Sequence, residues 1–302
     1  MVSLVLLGAG ASYGSVDVAP YPPPLGNGST GLFARLEEHS ALARKLPDAL
    51  RQEFRDNFER GMATFYEYAD GNIMAFQRDL AAYLAQFTPG AANVYRTLIE
   101  ALGVQRVVYS TLNYDLLFEL SAASMGLNTQ YGVVAPPQQV RLLKPHGSCN
   151  FWPDIPVGMI KGLNIHRSGR ADVSAPVRPL NHQQTVRRCV EDNSFSPAIA
   201  MYAEGKAVKV CPDYVEAQQL QWSATAARAK HVFVSGVKVH RSDGHIWDVL
   251  AKSPASVTYF GLKWDKDEFL AWKEESGKRN AYFVEGDFSS AIGGMKSRLY
   301  GR

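Results

Sequence analysis

Short apolar runs that do not alternate with polar residues most narrowly limit what this chain can fold into. Residues 2–7 read VSLVLL, and similar runs occupy 106–110, 140–143, 231–234, 257–260 and 282–284. A strand wetted on one face alternates apolar with polar positions. A strand covered on both faces does not. Helical patterns lie between these runs, one starting near Asp115 and others over 213–229, 244–252 and 266–276. A last one carries Phe288, Ile292, Met295 and Leu299 on one face. Strand alternating with helix predicts an α/β chain built on a parallel sheet with helices on both faces. Ligands of such sheets bind at the carboxyl ends of the strands, so chemistry is sought at the strand exits.

Two regions interrupt this alternation. Residues 31–103 read as helical throughout, with no strand signal. Leu50, Phe54, Phe58, Met62 and Phe65 recur at helical spacing, as do Ile73, Phe76, Leu80, Tyr83, Leu84 and Phe87. Val94, Leu98 and Leu102 form a third stripe that ends at Gly103, a glycine C-cap. We read 35–95 as a helical insertion within a single domain spanning 1–302. The preceding VDVAPYPPPLGNGSTG is expected to be an irregular, mobile loop. Residues 153–210 are polar, contain prolines and show no period. Within them Lys161, Arg167, Arg170, Arg178, Arg187 and Arg188 face a lone acid, Asp172, over 161–188. That stretch reads as a solvated surface loop or as a contact for a partner or a nucleic acid.

Composition removes several classes. At 46% hydrophobic and 20% charged residues, the 302-residue chain has the balance of a water-soluble globular protein. A net charge of +3 does not by itself argue for nucleic acid or an anionic membrane. No stretch approaches the roughly 20 apolar residues of a membrane span. The amino-terminal run lacks the basic flank of a signal peptide. Cys149, Cys189 and Cys211 contain no C-x-x-C pair, which suits a reducing compartment and leaves no cysteine zinc site. The expected location is the cytoplasm, with no metal and no membrane contact.

Four strand exits carry candidate chemistry. Gly8-Ala9-Gly10-Ala11-Ser12 follows the first strand, where backbone N–H groups can approach a pyrophosphate. The dehydrogenase fingerprint would place a third glycine at Tyr13, so a hydride-transfer site is not expected. A tight turn explains the same glycines. Thr111-Leu112-Asn113-Tyr114-Asp115 can cap a helix, Thr111 or Asn113 as N-cap and Asp115 in the first turn, or can line a site. His146, in KPHGS, is a structural histidine or a proton acceptor suited to neutral pH. Ser235 and Gly236 end another strand and either hydrogen-bond a ribose or form an ordinary turn. Asp243 is expected to cap the helix that follows.

Taken in order, GAGAS, PPPLGNG, TLNYD, KPHGS and a late SG loop followed by DGHIW resemble the bacterial sirtuin-like domains. Many of these hydrolyse NAD in antiphage defence. The resemblance runs from Leu4 to about Phe288 and implies a Rossmann-like, sirtuin-like fold. It implies that Asn113 orients the attacking water or the ribose hydroxyls, that His146 is the general base, and that Asp115 lies near the nicotinamide carboxamide. Gly8, Ala9, Gly10 and Ser12 would hold the phosphates, with Thr111 beside them. Ser235 and Gly236 would face the adenosine, and Asp287 and Phe288 would border the adenine.

The zinc module of the protein-deacylating sirtuins is missing, and 153–210 stands in its place. Water rather than an acyl-lysine is then the expected nucleophile, and the expected reaction is cleavage of NAD to nicotinamide and ADP-ribose. The alternatives are protein deacylation or ADP-ribosyl transfer, a catalytically idle NAD-binding regulatory subunit, and a nucleic-acid-binding module using the basic loop. An NAD-depleting activity needs restraint. A homo-oligomer is therefore expected, controlled by a partner such as a nucleic-acid-handling ATPase or a short Argonaute.

Overall fold

Every residue of the first strand, Ser3–Leu7, is buried, as its unbroken apolar run requires. In a computed structural model of the chain, this strand is the middle of a seven-stranded sheet. The structure describes residues 2–134, 136, 138–155, 173–192, 194–200, 208–240 and 243–301. The strands are, in chain order, β1 (Ser3–Leu7), β2 (Val18–Ala19), β3 (Thr88–Pro89), β4 (Val107–Thr111), β5 (Asn128–Tyr131) and β6 (Gln139–Leu143). They continue with β7 (Phe151–Pro153), β8 (Val177–Pro179), β9 (His231–Ser235), β10 (Ser256–Gly261) and β11 (Ala281–Glu285).

The main sheet runs β11-β10-β9-β1-β4-β6-β5, and every neighbouring pair is parallel. The fold is therefore a Rossmann-like α/β sheet. The chain first builds one side of β1, with β4, β6 and β5, and later lays β9, β10 and β11 on the other. The direction of building reverses between β1 and β9, and a crevice at such a point is where open α/β sheets place their ligands.

Each face of the sheet has its own core. Val5, Leu7, Val107, Tyr109, Leu142 and Phe233 point to one side, and Leu4, Leu6, Val108, Leu143, Val232 and Val234 to the other. This strict division by odd and even position is the two-residue period of a strand whose faces are both covered. The first core extends without a break into the helices between β1 and β4, at Leu32–His39, Ala41–Arg44, Asp48–Asp56, Phe58–Tyr68, Met74–Leu84 and Val94–Leu102. Both expected aromatic stripes are buried here. The Phe54 ring stacks on Phe33 at 4.3 Å and on Phe76 at 5.4 Å between centroids. Gly61 sits against Phe54, where a side chain would have no room, so Asp48–Asp56 and Phe58–Tyr68 can close on each other. Gly103, at φ 69°, ends Val94–Leu102 as a glycine C-cap.

Several expectations need correction. The first two-stranded ribbon pairs β2, in the supposedly irregular loop, with β3, in the supposedly strand-free region. Two residues are too few to show alternation. β5 was not foreseen because NTQY is a polar edge strand, alternately exposed and half-buried. Residues 153–210 are not without regular structure. β7 pairs with β8, and His182–Glu191 is a helix with a reciprocal Asn181–Gln184 capping box. That helix turns only Thr185 and Cys189 inward, so its apolar stripe is too thin to register as a period. Lys161, Arg167, Arg170 and Asp172 lie outside the described residues. Arg187 and Arg188 pair with Glu191 and Asp192 at 3.4 and 2.7 Å, which occupies two of the charges that suggested a nucleic-acid contact. No helix among the described residues is long and apolar enough to cross a membrane.

Candidate active site

The exits of β1 and β9 are joined backbone to backbone. Gly8 N donates to Ser235 O at 3.1 Å, and Gly10 N donates to Gly236 O at 3.0 Å. A Cβ on Gly8 would lie 2.8 Å from Val237 Cγ2 and nearer still to Gly236 O. A Cβ on Gly236 would lie 2.6 Å from the Gly10 carbonyl carbon and nearer still to Ala11 N. Gly236 also has φ +66°, a region that disfavours side chains. The glycines flanking the crevice thus have a packing reason that needs no ligand. After Gly8 the chain turns at once into the short helix Ala9–Tyr13, which buries Ser12.

Ser12 is the hub of a buried polar network. Its Oγ donates to Asp115 Oδ2 at 2.8 Å, accepts from Asn113 Nδ2 at 2.7 Å, and lies 2.8 Å from Tyr95 OH. Asn113 Nδ2 spends its other hydrogen on Gly8 O, at 2.8 Å. Both amide hydrogens are therefore used, and the orientation of the side chain is fixed. Its Oδ1 has no hydrogen-bond partner among the described residues. Of residues 107–118, Asn113 alone is not buried. An acceptor of O–H groups is held rigidly at the one accessible point of an otherwise sealed segment.

The surrounding residues hold this geometry. Thr111, the last residue of β4, accepts from Asn113 N through Oγ1 at 3.1 Å, so it shapes the turn instead of capping the helix. The helix begins at Leu117, two residues later than expected, and Asp115 Oδ1 accepts from Leu117 N at 3.0 Å. Burial raises the pKa of Asp115, against the pull of Lys144 and of its hydrogen bonds. Lys144, itself fully buried, donates from Nζ to Asp115 O at 2.7 Å and to Glu119 Oε1 at 2.9 Å. Tyr95, Lys144 and Glu119 were not singled out from the sequence. A tyrosine on a helical stripe and a lysine before Pro145 carry no local sign of this role.

His146 follows β6 on a tight turn. Gly147, at φ +83°, lies so close to Ala198 that no side chain would fit. The turn is tied to the Asn113 segment, since Cys149 N donates to Tyr114 O at 3.0 Å. His146 is 1% exposed. Its Nε2 lies 2.9 Å from His245 Nε2 and 3.6 Å from Asp243 Oδ1. Asp243 occupies the N-cap position of the helix Gly244–Lys252, but its side chain makes no capping bond. The expectation that it caps is corrected, because its carboxylate faces His146 instead. His245 was not anticipated. It stands in the DGHIW motif, two residues from Asp243.

The remaining expected residues divide differently. Ser235 is buried at the end of β9, and its carbonyl and that of Gly236 are engaged by the β1 exit. Asp287 is the N-cap of Phe288–Tyr300 and accepts from Ser290 N at 2.8 Å. Phe288 is buried against the Tyr95 ring, with centroids 5.2 Å apart, and so belongs to the core beneath the site.

Fold and site together define an α/β protein of the Rossmann-like class, with a polar constellation at the carboxyl edge of its sheet. The chain matches no family model and no curated protein, so its geometry carries the functional argument.

Proposed function

We propose that the chain is an NAD glycohydrolase that cleaves the bond between nicotinamide and ribose, using NAD as substrate. The observation that carries this reading is the oriented Asn113 amide, whose Oδ1 is the accessible acceptor at the crevice. A helix cap would not need both amide hydrogens tied down in this way. An acceptor that binds water or ribose hydroxyls in one orientation does.

In the proposed step, a water held by Asn113 Oδ1 attacks the anomeric carbon. The carbon–nitrogen bond breaks and its electron pair neutralises the pyridinium ring, so the leaving group needs no acid. The water's proton passes to His146, whose Nε2 lies 3.6 Å from the Asp243 carboxylate. Asp115 keeps Ser12 in place, and through it Asn113. Ala9, Gly236 and Ser235 would border the diphosphate and adenosine, but the Gly8 and Gly10 amides are already engaged by the β9 exit. The resemblance to sirtuin-like defence proteins supports an NAD-depleting role in the cytoplasm, in a homo-oligomer restrained by a partner protein.

The test is release of nicotinamide from NAD by the purified protein, with product analysis that separates ADP-ribose from its cyclic form. Asn113→Ala and His146→Ala are each expected to lower turnover by at least about 100-fold while far-UV circular dichroism stays unchanged. Wild-type rates in both variants refute the site. NAD binding without turnover under any condition favours an idle regulatory subunit.

A further inference from the structure

We propose that His146, Asp243 and His245 form a binding site for a divalent first-row transition-metal ion at the carboxyl edge of the sheet. One donor atom from each residue lies within 4.8 Å of the other two. The donors come from two segments far apart in sequence, the β6 exit and the helix after β9. In the sheet those strands are separated by β1 and β4. The cluster therefore joins two strand exits that are not neighbours in the sheet.

The spacing suits an ion. For metal–nitrogen bonds of about 2.05 Å, two nitrogens 2.9 Å apart subtend an angle of about 90° at a shared ion. That is the angle between adjacent ligands of a six- or five-coordinate site, whereas a tetrahedral zinc site would hold the nitrogens about 3.3 Å apart. Two imidazoles and one carboxylate are a ligand set of open transition-metal sites. The 3.6 Å between His146 Nε2 and Asp243 Oδ1 spans about 120° at a shared ion, as between equatorial ligands of a five-coordinate site. The remaining positions would be filled by water.

A second, independent observation concerns Asp243. A carboxylate at an N-cap position normally accepts a helix N–H. Asp243 forgoes that bond and turns toward the histidines. A divalent cation would draw this carboxylate and both imidazole nitrogens to one point. The inference stands on this cluster and goes beyond the glycohydrolase reading. The two meet at His146 Nε2, whose lone pair cannot both bind an ion and accept a proton.

The test uses the full chain, dialysed against a chelator and then equilibrated with Co²⁺, with bound metal counted by mass spectrometry. The expected result is one Co²⁺ per chain, bound at micromolar or lower concentration. Asp243→Asn and His245→Gln should each weaken binding at least about tenfold, and the exposed-site control His39→Gln should not. In the loaded protein, proton NMR should show paramagnetically shifted imidazole N–H signals, fewer of them in His245→Gln. If one variant fails to fold, the other decides. No stoichiometric Co²⁺ in the wild type, or wild-type affinity in the folded variants, overturns the proposal. Failure to bind metal would leave nicotinamide release untouched, and absence of nicotinamide release would leave the metal count untouched.

Discussion

Replacing Gly236 by alanine tests whether the glycines of the crevice serve packing. The new Cβ would approach the Gly10 carbonyl carbon to 2.6 Å and Ala11 N more closely still, and both are backbone atoms that cannot swing aside. Two costs add. A left-handed conformation costs an L-residue about 1–2 kcal/mol. Forcing the overlap apart costs about 1–3 kcal/mol. The total, about 2–5 kcal/mol, is a large part of a typical stability of about 5–15 kcal/mol. For 302 residues the unfolding entropy is about 0.6 kcal/mol/K, so Tm should fall by about 3–8 °C. Gly277→Ala is the control. Its φ is +65°, but nothing lies within 4 Å of the added carbon, so only the first cost of about 1–2 kcal/mol applies. Stiffening of the unfolded chain by alanine is common to both variants and cancels between them. The assay is differential scanning calorimetry without nucleotide, with urea unfolding as a check. Gly236→Ala should melt roughly 2–5 °C below Gly277→Ala, the difference coming from overlap alone. If it melts with the control or above it, the close approach of the β1 and β9 exits is wrong.

Two further outcomes follow from buried ionisable groups. Burial lifts the folded pKa of Asp115 above the ordinary 3.8, so between those values the folded state holds more proton than the unfolded state. Stability then falls as pH rises through that window, and the penalty is complete above the folded pKa. Asp115→Asn removes this slope. Urea unfolding of both proteins between pH 7 and 4 should show the difference shifting in favour of wild type as pH falls, and a constant or opposite difference refutes the assignment. All three cysteines are buried and free. Burial raises Cys149 well above the ordinary thiol range, pushes Cys189 up to about 12, and raises Cys211 as well. In native protein at pH 8, Ellman's reagent should find no fast-reacting thiol, and in denaturant it should find three. A fast stoichiometric thiol in the native state would show one of these environments to be open.

What residue order alone determined was the class of fold, a parallel sheet covered on both faces, and most of its strands. The apolar runs at 4–7, 107–109 and 232–234 are short and bounded by turn residues, which suits a strand covered on both sides, and that pattern is written locally. The same holds for the aromatic stripes of the helical region, where the period is visible within each helix. Asn113 and His146 were legible as candidates because each stands at a strand exit. Their partners were not. Ser12, Tyr95 and Asp115 meet through hydrogen bonds that span 83 and 103 positions, and His245 reaches His146 across 99. Such contacts depend on which strands lie side by side, and no period or spacing in the chain encodes that. Only the tertiary structure turned Asp243 from a helix cap into a neighbour of His146. The local signal for a cap is the residue type before a helix, whereas the carboxylate faces a histidine that the fold brings from another strand exit.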